Sequence, residues 1–152
     1  MSDDIKKKID VVFIAGGKFH DIDFARLEIL KLLAEDERMK TRVFEDYSNL
    51  HAIENADFLI TYTCDVRPTL EQQKALKKYV ASGKRWLALH GTNSILQFMS
   101  DGKVDSPRIA PIMMETLGSQ FIAHPPIEPY NVKVSQPNHP LVEGVEEFET
   151  TD

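Results

Sequence analysis

The sequence has a single cysteine, fewer basic than acidic residues and no long apolar segment. One cysteine in 152 residues cannot form an intramolecular disulfide. The 18 basic residues are outnumbered by 24 acidic ones, and the resulting net charge of -6 argues against general attraction to nucleic acid. No apolar run approaches the roughly 20 residues of a membrane span, and the first ten residues, MSDDIKKKID, lack the apolar stretch of a secretory signal. We therefore expect a cytoplasmic protein that binds no nucleic acid or membrane and acts on a small molecule.

The residues that are present predict one α/β domain. A hydrophobic content of 42% is enough for an ordinary core. Apolar, β-branched runs predict strands at residues 11–15, 41–45, 58–63 and 86–89. Helical spacing of Phe24, Leu27, Leu30 and Ala34 predicts a first helix over residues 24–34. A second helix opens at Pro68-Thr69 and closes at Gly83, and a third covers residues 111–117.

Two details refine these elements. In the second helix, Thr69 and Gln72 have the spacing of a capping box, and Ala75, Leu76, Tyr79 and Val80 are expected to face inward. After Gly118 the chain holds five of its eight prolines. This part, with a strand-like piece at residues 130–134, predicts an irregular loop and short strands at the sheet edge, within the same domain.

Helices between buried strands imply a parallel sheet with right-handed crossovers. Ligands of such sheets bind outside the carboxyl ends of the strands. Here those ends are residues 16–21, 64–67 and 90–93. These three stretches contain side chains that could take part in catalysis or binding, and they are therefore expected to converge on one rim of the sheet.

The stretch after the first strand, GGKFHDID, has no nucleotide-binding pattern. It lacks GxxxxGK[ST] and GxGxxG and has no Ser or Thr for a flavin phosphate, so nucleotide and flavin cofactors are disfavoured. Gly16 and Gly17 allow a ligand to approach the backbone closely. Lys18 can hold an anion, and His20 can act as acid, base or metal ligand. The structural alternative is that His20 is a solvated loop residue and that Asp21 only caps the next helix.

The stretch after the third strand, TYTCDVRP, contains the only cysteine. Cys64 becomes a nucleophile only if a nearby cation or helix N-terminus lowers its pKa. Because cysteine is among the most commonly buried residues, a structural thiol is the favoured reading.

The stretch RWLALHGTNS ends a predicted buried strand on His90. A strand-to-helix turn with a reactive side chain at its tip is the form of a nucleophile elbow. A histidine stands where a serine or cysteine would be expected, and an imidazole more often moves protons or binds metal than attacks a substrate. The alternative is that His90 has a structural role, hydrogen-bonded and packed within the rim.

These segments together resemble the ThuA-like (trehalose utilisation) family, which is similar in fold to the class I glutamine amidotransferases. The most specific pieces are ALHG at the fourth strand, AHPP at residues 123–126 and NHPLVEG at residues 138–144. The resemblance implies a three-layer, flavodoxin-like, doubly wound and mostly parallel sheet. It also implies a single domain over residues 1–152 that lacks a C-terminal part of the family fold.

The resemblance also carries expectations about the site. His90 occupies the position of the amidotransferase cysteine, so glutaminase chemistry is not available there. The recurring loop histidines of the family match His20, His90 and His124, which are expected to gather at one rim, whereas His139 is expected to be structural. The family is associated with the metabolism of sugars, including keto-sugars.

The sequence leaves two functions open. In the first, an enzyme acts on a carbohydrate related to trehalose or keto-sugars: His90 or His20 moves a proton and Asp21 orients a histidine. A variant places Zn²⁺ on His20, His90 and His124. The second function is a non-catalytic sugar-binding or assembly module. Apolar helix faces also allow a homodimer. The substrate-binding candidates are Gly16, Gly17, Lys18, Gly91, Thr92, Asn93 and His124.

Overall fold

A computed structural model describes residues 7–151 of the chain. Residues 1–6, on which part of the prediction about the N-terminus depends, lie outside the described residues. The chain divides into two compact units, one that ends at Ile122 and one that comprises residues 123–152.

The first unit is built on a four-stranded parallel sheet with the strand order β2-β1-β3-β4. Val11 of the central strand β1 pairs with Thr41 of β2 on one side and with Phe58 of β3 on the other. All four strands predicted for this sheet are confirmed, with ends that differ from the prediction by at most two residues. Their bounds are β1 (Ile9–Gly17), β2 (Met39–Phe44), β3 (Phe58–Cys64) and β4 (Arg85–Leu89).

Four helices cover the two faces of this sheet. The predicted capping box is present, since Thr69 Oγ1 accepts from Gln72 N and Gln72 Oε1 accepts from Thr69 N. The third predicted helix ends as expected at Gly118, which has a φ of 75°. A short helix with Asn49 as its N-cap was not predicted, because six residues are too few for a clear helical period. The helices are α1 (Ile22–Ala34), α2 (Leu50–Asn55), α3 (Leu70–Ala81) and α4 (Pro111–Leu117).

The core lies in two layers, one on each side of the sheet. In β1, Val11 and Phe13 point to the layer formed with α1, whereas Val12 and Ile14 point to the layer formed with α2, α3 and α4. This alternation buries the strand on both faces, as its continuous apolar run predicted. The arrangement of helices, sheet and helices confirms the three-layer, doubly wound, flavodoxin-like fold class.

The apolar stripe of α1 differs from the predicted one. Phe24 and Leu27 are more than half exposed, and Ala25 and Leu33 are buried instead. The helix carries apolar residues around much of its circumference, so their spacing alone does not select the face that meets the sheet. In α3, by contrast, Leu76 and Tyr79 are buried as predicted.

Strand β4 was predicted to be buried and is largely exposed. Leu87 is 45% exposed, because β4 is the last strand of the sheet and pairs only with β3 among the described residues. After β4 the chain forms an unpredicted hairpin of two-residue strands, β5 (Gln97–Phe98) and β6 (Val104–Asp105).

The second unit contains β7 (Pro129–Val132) and β8 (Phe148–Thr151), which pair antiparallel with each other. They form a separate two-stranded sheet, so the prediction that they extend the edge of the main sheet is wrong. Tyr130 pairs with Thr150, and backbone pairing of this kind is not visible in the sequence pattern of either strand. In the part of the chain that the structure describes, no helix is long and apolar enough to cross a membrane.

Candidate functional site

The predicted turn at His90 is present at the carboxyl end of β4. The strand ends at Leu89, and His90 adopts a φ of 47°, in the left-handed region that few residues other than glycine occupy. The next residue, Gly91, is buried, and a Cβ there would lie 2.9 Å from the carbonyl oxygen of Thr63. The chain thus makes a sharp, closely packed turn that leaves the His90 side chain exposed at its tip. The turn continues into one 3₁₀ turn, His90–Asn93, so no α-helix supplies N-terminal amides beside it.

Three rings meet at this rim. The centroids of the His20 and His90 rings are 4.4 Å apart, with an edge-to-face angle of 68°. Tyr62, on β3, lies nearly parallel to His90 at 5.8 Å and edge-on to His20 at 6.3 Å. The structure therefore brings together two of the predicted histidines and adds a tyrosine that the sequence did not indicate. Tyr62 lies beside His90 because it pairs with Leu89, the residue before His90. No sequence pattern indicates this pairing, which becomes visible only in the sheet.

The two glycines at the carboxyl end of β1 have a packing role that is independent of any ligand. A Cβ on Gly16 would lie 2.1 Å from the carbonyl oxygen of Glu45, and one on Gly17 would lie 1.9 Å from that of Cys64. Gly17 also has a φ of 109°. The following residue, Lys18, donates its N–H to the Cys64 carbonyl at 3.0 Å. This loop is therefore held tightly against the end of β3, and it directs residues 18–20 along the rim.

Asp21 is the N-cap of α1, because its carboxylate accepts a hydrogen bond of 2.9 Å from Phe24 N. The structure thus shows the helix-capping role, and the predicted role in orienting a histidine stays a prediction. Asp21 also lines an open cleft of about 520 Å³ beside His20. Two charged residues that were not predicted, Arg26 and Glu45, complete the polar wall of this cleft. The Arg26 guanidinium donates to the Ala15 carbonyl at 3.0 Å, which fixes it at the end of β1.

Asp65 links the three loops of the rim. Its side chain is only 5% exposed and accepts from Leu96 N at 3.0 Å, from Lys18 Nζ at 3.1 Å and from Arg67 Nε at 3.3 Å. Burial opposes its ionisation, but these three donors outweigh that effect and hold the pKa of Asp65 below its ordinary value. The Lys18 ammonium, predicted to hold a substrate oxygen, is thus anchored by an internal carboxylate and still 65% exposed.

Thr92 and Asn93 belong to the framework of the turn. The Thr92 hydroxyl is buried and donates toward the carbonyl oxygens of Leu89 and Thr61, at 2.8 and 3.1 Å. Asn93 Nδ2 donates to Ser119 Oγ at 3.0 Å. Burial of Thr92 weighs against the predicted contact with a substrate and favours a role in shaping the turn. Asn93 is only partly buried, and its substrate contact stays a prediction.

Cys64 is a buried thiol at the end of β3. Burial, and the charge of the neighbouring Asp65, raise its pKa above the ordinary value. A thiol of this kind is protonated at neutral pH and is a weak nucleophile. This supports the structural reading of Cys64.

The remaining histidines of the prediction lie in the second unit. His124 is exposed, with Nδ1 at 2.7 Å from the carbonyl oxygen of Pro125. His139 Nδ1 accepts from Leu141 N at 3.2 Å and caps a 3₁₀ turn, which fits the expected structural role. Among residues 7–151, no three or more His, Cys, Asp or Glu side chains are grouped so that they could hold a metal ion. His20 and His90 are the pair that the structure brings together, and a zinc site on His20, His90 and His124 stays a prediction.

Comparison with known proteins agrees with this architecture. A family model described as ThuA, trehalose utilisation, matches residues 10–152. The crystal structure of a ThuA-like protein from Bacteroides uniformis ATCC 8492 is similar to the chain with a TM-score of 0.68 and 16% sequence identity. That similarity covers 96% of this chain and 60% of the Bacteroides chain, and at this identity it shows the fold alone. No curated protein matches the chain.

Proposed function

We propose that this chain, which belongs to the ThuA (trehalose utilisation) family, is an enzyme of carbohydrate metabolism. In the proposed reaction, His20 and His90 move a proton. The observation that carries this proposal is the 4.4 Å separation of the two rings at the carboxyl ends of β1 and β4. Imidazoles exchange protons near neutral pH, so two adjacent ones can serve as base and acid toward neighbouring atoms of one substrate. The sheet order supports this location, because chain connections leave β1 and β3 in opposite directions, as at the ligand-binding switch point of doubly wound folds.

The surroundings of the pair suit a polyhydroxylated, uncharged substrate. Lys18, Arg26 and Glu45 offer charged hydrogen-bonding groups of both signs near the loop that carries His20. Hydroxyl groups both donate and accept hydrogen bonds, so they can satisfy cationic and anionic side chains together. The substrate class that we propose is a carbohydrate related to trehalose or to keto-sugars.

We further propose that the protein lacks amidotransferase activity, although the ThuA family belongs to the glutamine amidotransferase-like superfamily. The elbow carries His90, and the pKa of the only cysteine is raised by burial on another strand. Parent protein incubated with glutamine should release no ammonia above the buffer rate. Release that disappears in a Cys64→Ser variant would overturn this part of the proposal.

The catalytic proposal is tested by a turnover screen of disaccharides and keto-sugars. His90→Ala and His20→Ala should each lower kcat at least about 100-fold, the usual effect of losing a general acid or base. His51→Ala is the matched control, because His51 is an exposed histidine on α2, and it should keep parental kcat. Far-UV circular dichroism checks that the variants fold. Equal kcat in parent and His90→Ala would exclude the proposed role.

The replacement of the elbow nucleophile by His90 also favours a second candidate, a non-catalytic sugar-binding or assembly module. The module predicts saturable sugar binding by the parent protein with no turnover of any bound sugar. Calorimetric binding measured beside the turnover screen separates the two candidates.

A further inference from the structure

Two phenyl rings lie side by side at the rim, next to the proposed catalytic pair. Phe19 and Phe98 are 56% and 58% exposed, and their ring centroids are 5.4 Å apart at an angle of 47°. Phe98 is supplied by the β5–β6 hairpin, where it pairs with Val104. Single exposed apolar residues are normal on a protein surface, but adjacent exposed aromatic rings beside polar groups are typical of a binding surface.

The backbone holds Phe19 in an unfavourable conformation. Its φ is 68°, which is uncommon for any residue except glycine and a genuine outlier for a bulky one. The residues on either side are held in place. Lys18 donates hydrogen bonds to the Cys64 carbonyl and the Asp65 carboxylate, and the His20 ring packs against His90. Strained residues of this kind cluster at functional sites, where the surrounding structure imposes them.

We propose that Phe19 and Phe98 form a stacking subsite for the apolar face of a pyranose ring. One face of such a ring presents C–H groups, and its edge presents hydroxyls. A sugar stacked on the phenyl rings would place its hydroxyls among polar side chains while its C–H face covers apolar surface. Phe19 stands between Lys18 and His20 in the chain, so a stacked ring would lie beside the groups proposed to bind and react with it. The inference rests on the proposed function and deepens it by naming how the substrate ring is held.

The test measures equilibrium binding of trehalose by calorimetry in a His90→Ala background, so that turnover does not affect the result. Phe19→Ala and Phe98→Ala should each weaken the Kd about five-fold or more, because each removes one aromatic contact. Phe19→Tyr should keep the Kd within about two-fold, since the ring face is retained. The matched control is Phe24→Ala, because Phe24 is a similarly exposed phenylalanine on α1 that is outside this pair.

Two results would overturn the subsite. One is a Kd in Phe19→Ala or Phe98→Ala that equals that of Phe24→Ala, and the other is the absence of saturable trehalose binding before the phenylalanines are changed. A shift from dimer to monomer in both alanine variants, with unchanged trehalose affinity, would identify the rings as a contact between copies and also overturn it. Turnover of the parent and its histidine variants is scored separately, so a failure of this subsite and a failure of the catalytic proposal can be told apart.

Discussion

Removal of the Asp65 carboxylate should destabilise the fold, because this group is the buried link between the loops of the rim. Asp65→Ala leaves the Leu96 N–H without its acceptor and removes the partner of two cations. A lost charge-assisted hydrogen bond and an unsatisfied, partly buried donor cost a few kcal/mol, reduced here because Lys18 and Arg67 are at least half exposed. We expect a loss of about 2–3 kcal/mol in the free energy of unfolding. Asp65→Asn keeps an acceptor for Leu96 and should lose about 1–2 kcal/mol.

The pH dependence of this loss has a definite sign. The pKa of Asp65 is lowered in the folded state, so its stabilising contribution is fully present above the unfolded pKa of about 3.9. The contribution is lost as the pH falls through the folded pKa. The difference in unfolding free energy between parent and Asp65→Asn should therefore be constant from about pH 7 to pH 5 and shrink below about pH 4.

Urea denaturation followed by tryptophan fluorescence provides the assay. Trp86 is the only tryptophan and donates through Nε1 to Thr61 Oγ1 at 2.9 Å, so its emission reports the pairing of β4 with β3. Glu28→Gln is the matched control, because Glu28 forms an exposed ion pair with Lys31 at 2.7 Å and should contribute less than about 0.5 kcal/mol. The reasoning is refuted if Asp65→Asn is no more destabilising than Glu28→Gln, or if the difference from the parent persists undiminished at about pH 3.

Three further predictions concern the frame of the site. Gly17→Ala should lower the unfolding free energy by more than about 3 kcal/mol in urea denaturation, because its Cβ would overlap the Cys64 carbonyl. Gly83→Ala is the control and should cost about 1 kcal/mol, because Gly83 also has a positive φ but nothing lies near its Cβ position. Thr92→Val should cost about 1–2 kcal/mol in the same assay, since it removes a buried hydroxyl whose one proton is within reach of two carbonyl oxygens. A neutral result would contradict the framework role. Cys64 should react slowly with a disulfide reagent at pH 7, because it is buried and its pKa is raised. The reaction should become faster in denaturant, or as the pH rises above the ordinary thiol pKa. Rapid reaction of the folded protein at pH 7 would contradict this description of the thiol.

The geometry of the turn at His90 is set by the backbone. The left-handed φ at His90 and the close packing of Gly91 are backbone properties, and they do not depend on a thiol or hydroxyl at the tip. An imidazole at that tip reaches a neighbouring loop, where His20 supplies a second one. The sequence resemblance indicated that a histidine stands at the elbow, and the structure shows the His20 ring beside it.

The sequence by itself determined the four strands of the main sheet, three of the four helices and the two histidines that meet at the rim. Local signals carry this information: a buried β-branched run, a capping box at Thr69 and Gln72, and a glycine that ends a helix are each read within a few residues. Because parallel strands place their carboxyl ends on one edge, the strand assignments also predicted that the loops of His20 and His90 meet.

Only the tertiary structure decided which residues lie beside those histidines. The approach of Tyr62 to His90 and the pairing of Phe19 with Phe98 join residues far apart in the chain. The exposure of β4 likewise follows from its place at the end of the sheet, not from its apolar composition. Neighbours across a sheet depend on strand order, register and loop path, which are fixed by packing of the whole unit and leave no local pattern in the sequence.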